Sequence, residues 1–432
     1  MKGRIITDII GFFSFLKPSH WKGIFSVRCI FHNYFWLITL TAIMHLYIGK
    51  SWLYTITFPI LTVVMVWKTR RSIKFNAIDS LWIVGIVWIF MTWLYNDYPN
   101  KSNLIFKCLQ TQITFMLAYW IGRFDLSDNL RKIITCSYKP LVIMCIIGIL
   151  FFLNPPSWYN SAIEEYLYNT YGNDYTYESA LEFYRLRSIF PTTYSLTYFV
   201  NIVLIFLWFC LIQGKKIKGR SSYLYAFIFL LLITSVLAMM RAPTMCSLLS
   251  LFVAVIYGMK YKNAGSTTIK VILAVSIVIL MGIFIINNVN SSLLEFLSEK
   301  ITSVTSSNSD LVNTRLKAVD YNYSLLGDGV GRHSIYASLS QCIPDAEYIK
   351  LIVEQGYIGL AIFAVIFAIG IIKAIKHFKY LYLELCLIIM VLICMIGADP
   401  ISTYDKHPFL FWLALGQISA YRNIDIYNKQ KI

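Results

Sequence analysis

Long apolar segments recur along almost the whole chain, and they restrict the possible folds more than any other feature. Twelve can be distinguished, at residues 31–49, 51–67, 78–95, 103–122, 140–153, 189–212, 222–240, 243–259, 269–286, 348–372, 379–398 and 407–421. A helix needs ~17–25 apolar residues to cross the hydrocarbon of a bilayer, where its backbone groups must be hydrogen-bonded internally. The sequence therefore predicts an all-α polytopic integral membrane protein, with about twelve transmembrane helices in a single transmembrane domain (residues 1–432).

The basic residues are distributed unevenly between the connections that join these helices. If the spans alternate in direction, 26 of the 38 Lys and Arg residues fall on one side of the membrane and 12 on the other, whereas the acidic residues divide as 6 and 16. Short loops rich in Lys and Arg stay in the cytoplasm. Both termini are therefore predicted to be cytoplasmic, with residues 1–30 as a cytoplasmic or interfacial arm. The net charge of +16 follows from this topology and gives no reason to expect nucleic acid as a partner.

Two connections on the acidic, outer side are much longer than the others, residues 154–188 and 287–347. Long loops in compact proteins are usually functional or disordered. The first is rich in aromatic residues, including Trp158 and Tyr184. Two interpretations stay open: an interfacial helix with its rings at the lipid headgroups, or a platform that stacks on sugar rings.

The second long loop contains a polar run (303–310), a predicted helical stretch (314–326) and the glycine cluster GDGVG (327–331). This cluster lacks the Gly-Lys-Ser/Thr sequence of a phosphate-binding loop. It predicts a sharp chain reversal, because glycine tolerates positive φ.

Arginine is scarce on the outer side, so each one requires an explanation. Arg187 precedes the sixth span, Arg241 lies between the seventh and eighth, and Arg315 and Arg332 lie in the second long loop. An arginine at the bilayer centre costs ~2.5–3.5 kcal/mol, and less at the edge. Guanidinium groups bind phosphate oxygens through paired hydrogen bonds, so the set predicts an anion site. For Arg241 alone, snorkelling to lipid phosphate is an equally good explanation.

The nine cysteines predict neither a disulfide nor a metal site. Eight fall in spans or on the cytoplasmic side, only Cys342 lies in an outer loop, and no CxxC or Cys/His spacing occurs. No cofactor is expected.

Ionisable residues near the spans lie at the span ends, namely His45, Asp79, Lys107 and Glu384. Ion-coupled carriers generally need charges or broken helices near the midplane. The pattern therefore counts against a proton-driven carrier.

Four sequence motifs resemble those of the O-antigen polymerase and ligase superfamily. They are PDAEYIKLIVEQGYIGLAIF (344–363), LLGDGVG (325–331), RSIF (187–190) and MMRA (239–242). The resemblance extends over most of the chain by layout but over few residues by motif. It implies a GT-C-like glycosyltransferase bundle in the bacterial inner membrane, with both long loops on the periplasmic face.

One position separates the branches of this superfamily. Ligases typically have a histidine where this chain has Asp345, whereas polymerases commonly have an Asp-Asn-Glu-Tyr run. Residues 345–348 match that run except at Ala346, so the resemblance favours an O-antigen polymerase. His333 could take the place of the ligase histidine, which keeps a ligase acting on lipid A-core as an alternative. A flippase for the lipid-linked unit is the non-enzymatic alternative.

The resemblance implies transfer of a glycan from undecaprenyl diphosphate to a second lipid-linked repeat unit. Arg187, Arg241 and Arg315 are then expected to bind the diphosphate and stabilise its departure. Asp345 is the first candidate for the general base, although a carboxylate there could simply cap the tenth span.

The resemblance also implies alternative general bases and residues that bind the substrate. Glu347 and His333 stand behind Asp345 as candidate bases, and residues expected to bind substrate are Arg332, Tyr348, Tyr184 and Trp158. The expected partners are the undecaprenyl-diphosphate-linked oligosaccharide, membrane lipids and a separate chain-length regulator protein. Glu354 lies four residues after Lys350, a spacing that an ion pair on one helix face explains.

Overall fold

The structure is a computed structural model that describes residues 31–48, 60, 63–64, 66–67, 75–98, 101–124, 129–171, 185–190, 193–214, 221–238, 240–262, 324–331, 346–396 and 408–429. Within these residues the regular secondary structure is helical and contains no strand. The helices are α1 (Tyr34–Ile48), α2 (Ala77–Tyr95), α3 (Lys101–Phe124), α4 (Asn129–Cys136), α5 (Tyr138–Leu153), α6 (Ser157–Tyr171), α7 (Thr193–Ile212), α8 (Ser221–Leu237), α9 (Arg241–Lys262), α10 (Glu347–Lys376), α11 (Phe378–Cys394) and α12 (Pro408–Lys429).

These helices have the architecture of an α-helical membrane protein. Four are long and apolar enough to cross a membrane (α2, α3, α9 and α10), and α4 with α5 make a fifth if the pair, bent by 51°, is one span. Helices also occupy ten of the twelve predicted apolar segments. The second predicted span is described at only a few residues and the ninth, 269–286, lies outside the described part. The total of twelve spans therefore stays a prediction.

Helix α9 shows how the bundle divides lipid-facing from core-facing residues. Exposed apolar side chains recur at every third or fourth position, at Met245, Leu249, Phe252, Ile256 and Met259. The opposite face is buried and carries small residues such as Ser247 and Ala254. An exposed apolar stripe of this length suits contact with lipid and not with water.

The centre of the bundle is formed by α7, α11 and α12, whose side chains are buried almost throughout. The Trp208 indole donates to Ser247 O at 3.0 Å, which ties α7 to α9. The ring of Phe209 stacks on that of Tyr382 with centroids 4.2 Å apart, which ties α7 to α11. Packing and hydrogen bonds of this kind hold helices together in lipid, where burial of apolar surface gives little driving force.

Helices α3 and α12 approach each other most closely at two glycines. A Cβ atom at Gly122 would collide with Leu413 O, and one at Gly416 would collide with Tyr119 O. Small residues allow such backbone contact between membrane helices. This contact fixes α12 against α3 at one end of the bundle.

An ion pair lies buried at the same end. Arg123, in the last turn of α3, pairs with Asp79, in the first turn of α2, and the Asp79 side chain is 1% exposed. Asp79 also accepts from Asn76 N at 2.7 Å, while Asn76 Oδ1 accepts from Asp79 N at 2.9 Å. This reciprocal cap satisfies free amides at the start of α2 and holds the Asp79 carboxylate in place.

A polar cluster around Ser419 of α12 extends this ion pair across the bundle end. Ser419 Oγ accepts from Asn76 Nδ2 and lies 3.0 Å from Tyr119 Oη, while its carbonyl accepts from Lys373 Nζ at 2.5 Å. Four helix ends that the charge pattern places in the cytoplasm thus meet here. The described contacts agree with the predicted alternation of the spans.

We expect Asp79→Asn to destabilise the protein by about 3–5 kcal/mol, because it leaves the Arg123 guanidinium buried without its counter-charge. The double variant Asp79→Asn with Arg123→Gln should be more stable than Asp79→Asn alone, since it buries no charge. Thermal unfolding of the detergent-purified proteins measures both. A double variant that is less stable than the single one would contradict the pairing.

Candidate functional site

Helix α10 is broken at Gly356, near the end that the charge pattern predicts to face outward, called the outer end from here on. This residue has φ 69° and ψ −178°, a conformation that interrupts the helical hydrogen bonds. It lies nine residues after the first residue of α10, Glu347, which corresponds to about 13 Å along the axis. The apolar run 348–372 predicts one continuous span, and the break at Gly356 departs from that prediction.

The segment 324–331 supplies the hydrogen bonds that the break leaves unmade. Val353 O accepts from Asp328 N at 2.7 Å and Glu354 O from Gly329 N at 3.2 Å. On the far side of the break, Tyr357 N donates to Ser324 O at 3.2 Å. An unsatisfied peptide group in hydrocarbon costs several kcal/mol, so this segment completes the helix.

The glycine cluster fits against α10 because it has no side chains. Gly327, Gly329 and Gly331 all have positive φ, which confirms the predicted conformation. A Cβ at Gly327 would meet Glu354 C and one at Gly356 would meet Leu325 C, so neither position accepts another residue without movement. The predicted helix over 314–326 is wrong for its last three residues, which are extended or bent here.

The outer end of α2 and the turn after it hold the same segment from the other side. Asn96 Nδ2 donates to Gly327 O at 3.1 Å, and Tyr98 Oη donates to Val330 O at 2.9 Å. The Trp88 indole donates to Gln355 O at 2.8 Å, beside the break. The second long loop is therefore anchored between α2 and α10.

Three charged side chains lie buried on one face of α10 before the break. Glu347, Lys350 and Glu354 are spaced three and four residues apart, so they share a helix face. Their exposed fractions are 0%, 6% and 4%. Such groups are rarely buried outside ion pairs and functional sites. No group of His, Cys, Asp and Glu suited to a metal occurs among the described residues.

The start of α10 is attached to the outer end of α11. Glu347 N donates to Met395 O at 3.0 Å, and Tyr348 Oη donates to Leu392 O at 2.7 Å. The N-cap position belongs to Ala346, which makes no side-chain cap. Asp345 lies outside the described residues, so its alternative role as the helix cap stays a prediction.

Arg187 lies in a buried and strained turn. Its side chain is 3% exposed. The next residue, Ser188, has φ 58°, a conformation that costs a non-glycine residue about 1–3 kcal/mol. The Tyr159 hydroxyl of α6 donates to Ser188 O at 2.5 Å and helps to hold the turn. Gly148 of α5 leaves room for it, because a Cβ there would lie 2.8 Å from Leu186 Cδ2.

The same turn is joined to the connection that carries Arg241. Leu186 N donates to Leu237 O, the last residue of α8, at 3.1 Å. Arg241 begins α9 four residues later. The backbones of Arg187 and Arg241, two of the three predicted diphosphate ligands, are thus brought to the same part of the bundle.

Helix α11 links the arginine-bearing connections to the start of α10. Cys246 Sγ of α9 lies 4.0 Å from Met390 O, in the outer half of α11. One turn further on, Met395 O accepts from Glu347 N. The first turns of α9 therefore contact α11, and the end of α11 contacts the start of α10, so one series of contacts leads from the helix that begins at Arg241 to Glu347.

Helix α6 occupies the first half of the first long loop. Trp158 is 53% exposed and stands edge-on to Phe151, with ring centroids 5.7 Å apart. Tyr159, one residue later, is buried. A helix is confirmed for residues 157–171, whereas its position at the membrane interface stays a prediction. The exposed Trp158 ring suits either lipid headgroups or a sugar.

The remaining predicted site residues fall outside the described part of the chain. They are Arg315, Arg332, His333, Asp345 and Tyr184. Arg241 is described as the first residue of α9, through its backbone. Glu347, Tyr348, Arg187 and Trp158 are described with their side chains.

Comparison with protein-family models and with curated proteins gave no match. The resemblance to the O-antigen polymerase and ligase superfamily therefore stands on the four motifs. The break at Gly356 lies within one of them, residues 344–363, and a second, residues 325–331, is hydrogen-bonded to the helix at that break. Leu186 and Leu237, which are joined by a hydrogen bond, lie one and two residues before the other two motifs, 187–190 and 239–242.

We expect Gly327→Ala to destabilise the protein by roughly 2–4 kcal/mol, because it adds a positive-φ penalty to a collision with the α10 backbone. Gly214→Ala is the matched control. Gly214 has φ +66° with nothing within 4 Å of a new Cβ, so it carries the φ penalty alone. Thermal unfolding in detergent compares the two variants, and equal losses would contradict docking of the 324–331 segment.

Proposed function

We propose that the protein is an O-antigen polymerase, which joins undecaprenyl-diphosphate-linked repeat units at the periplasmic face of the bacterial inner membrane. The observation that carries this proposal is the burial of Arg187 in a strained turn, whose Leu186 N is hydrogen-bonded to Leu237 O, at the start of the connection that leads to Arg241. Backbone strain of this kind clusters at functional sites.

The chemistry requires stabilisation of a departing diphosphate. When the acceptor hydroxyl attacks the anomeric carbon of the donor, the bond from that carbon to the diphosphate oxygen breaks and negative charge collects on the leaving group. Arg187 and Arg241 supply fixed positive charge for that oxygen, and we place Arg315 with them. Preorganised donors stabilise a transition state because they need no rearrangement as charge develops.

The acceptor hydroxyl must also lose a proton. We assign the base to Asp345, with Glu347 and His333 as alternatives. The buried start of α10 supports a carboxylate in this region, since Glu347 is fully buried there next to Lys350. Arg332 and Tyr348 are proposed to orient the acceptor sugar, and the rings of Trp158 and Tyr184 to bind the glycan.

The 324–331 segment supports the proposal by positioning the second long loop. Its hydrogen bonds to Val353 and Glu354 fix where residues 332–345 begin, and those residues lead into α10. Three proposed site residues, Arg332, His333 and Asp345, follow within that stretch. A rigid attachment of this kind suits a site that must hold reacting groups at defined distances.

A flippase is the second candidate, because one observation favours it. Broken helices with charged residues nearby are typical of carriers, and α10 has both, in Gly356 and Glu354. The sequence predicted no charged residue or helix break within a span, which counted against a carrier. The break in α10 removes part of that objection. Cell phenotype separates the candidates: loss of a polymerase leaves lipopolysaccharide with single repeat units, whereas loss of a flippase leaves none.

We expect Arg187→Lys to lower the polymerisation rate about 10²–10³-fold, because an ammonium group cannot form the paired hydrogen bonds of a guanidinium. Arg185→Lys, the same change two residues away, should keep near-normal activity. The measurement is the polymer ladder made by purified protein from lipid-linked repeat units. Equal ladders from both variants, each monodisperse on size exclusion, would count against diphosphate binding by Arg187.

A further inference from the structure

Two buried thiols from different helices lie near the outer end of the bundle. Cys246 lies in α9 and Cys394 in α11, two helices that pack against each other. Cys246 Sγ is also 4.0 Å from Met390 O, and residue 390 lies one helical turn before Cys394. The packing of the two helices and this contact therefore place the two cysteines close together.

Both cysteines are reduced in the structure and both are well buried, with 5% and 0% of their surface exposed. Cys246 lies five residues after Arg241 at the start of α9, and Cys394 is the last residue of α11. The pair thus lies within about 8 Å, along the helix axis, of the outer end of α9. In the proposed orientation that end faces the oxidising periplasm.

We propose that Cys246 and Cys394 form a disulfide bond on oxidation, which joins α9 covalently to α11 beneath the proposed arginine site. One Sγ–Sγ bond forms and two S–H bonds break, with release of two protons. The two electrons pass to a thiol oxidant, such as a diazene dicarboxamide (diamide) reduced to its hydrazine, or a disulfide reduced to two thiols. A disulfide requires the two sulfur atoms to approach to roughly 2 Å.

Oxidation therefore fixes α9, the helix that begins at Arg241, against α11, and reduction releases it. A disulfide restricts the relative movement of the two helices that it joins. The inference does not depend on the proposed function, because it rests on the contact between α9 and α11. This contact is not predictable from the sequence, since the two cysteines are far apart in the chain and both lie in predicted spans.

The test uses the full-length protein with a protease recognition site inserted in the polar run 303–310, between the two cysteines. Membranes are treated with diamide, which permeates lipid, and then with an alkylating agent. After proteolysis, the two fragments should stay joined on a non-reducing gel and separate on reduction. Mass spectrometry should then identify the peptide that contains Cys246 bonded to Cys394.

Matched variants decide which thiols are responsible. Cys246→Ala and Cys394→Ala should each abolish the joined product, whereas Cys386→Ala, in the same helix as Cys394, and Cys342→Ala should leave it intact. Size exclusion checks that every variant is folded. The proposal is overturned if wild-type fragments separate without reduction, or if they remain joined in folded Cys246→Ala protein.

Discussion

The hydrogen-bonding requirement of the broken helix α10 is the constraint on which the outer end of this structure depends. Gly356 interrupts the helix, and peptide groups in an apolar bundle cannot stay unpaired. The segment 324–331 satisfies them from Ser324 to Gly329, and Asn96, Tyr98 and Trp88 hold the assembly against α2. Because this attachment is made by backbone groups and glycines, it fixes the second long loop beside the buried Glu347, Lys350 and Glu354. Every proposed role for residues 332–345 follows from that position.

The two ends of the bundle are built differently, and the difference supports activity at the outer end. At the inner end, the buried charge of Asp79 is paired directly with Arg123, beside the glycine contacts of α3 with α12. At the outer end, charged side chains are buried beside a helix break, and Ser188 holds a strained conformation next to Arg187. Proteins retain strain and buried charge where function requires them. We therefore place the chemistry at the outer end.

Much of the fold could be predicted from the sequence, because apolar length and loop charge report directly on membrane helices. Helices lie in ten of the predicted segments, and the contacts of Asn76 with Ser419 and of Tyr159 with Ser188 join ends predicted to share a side. The positive φ values of the glycine cluster were also predictable from residue type.

The contact of the glycine cluster with α10 was not predictable, because a hydrogen bond from Gly329 N to Glu354 O joins segments that no local pattern connects. The four-residue spacing of Lys350 and Glu354 predicts an ion pair on one helix face, but spacing alone does not show that both side chains are buried. Gly356, in a Gly-Xaa-Xaa-Gly motif, was the available signal for the break.

Reconstitution of the purified protein in liposomes with undecaprenyl-diphosphate-linked repeat units, in excess chelator, tests the central claim most directly. The account predicts a ladder of polymers and released undecaprenyl diphosphate, because guanidinium groups stabilise the leaving diphosphate. Repeat units that cross the bilayer unchanged, or that remain monomeric with and without added divalent metal, would contradict it.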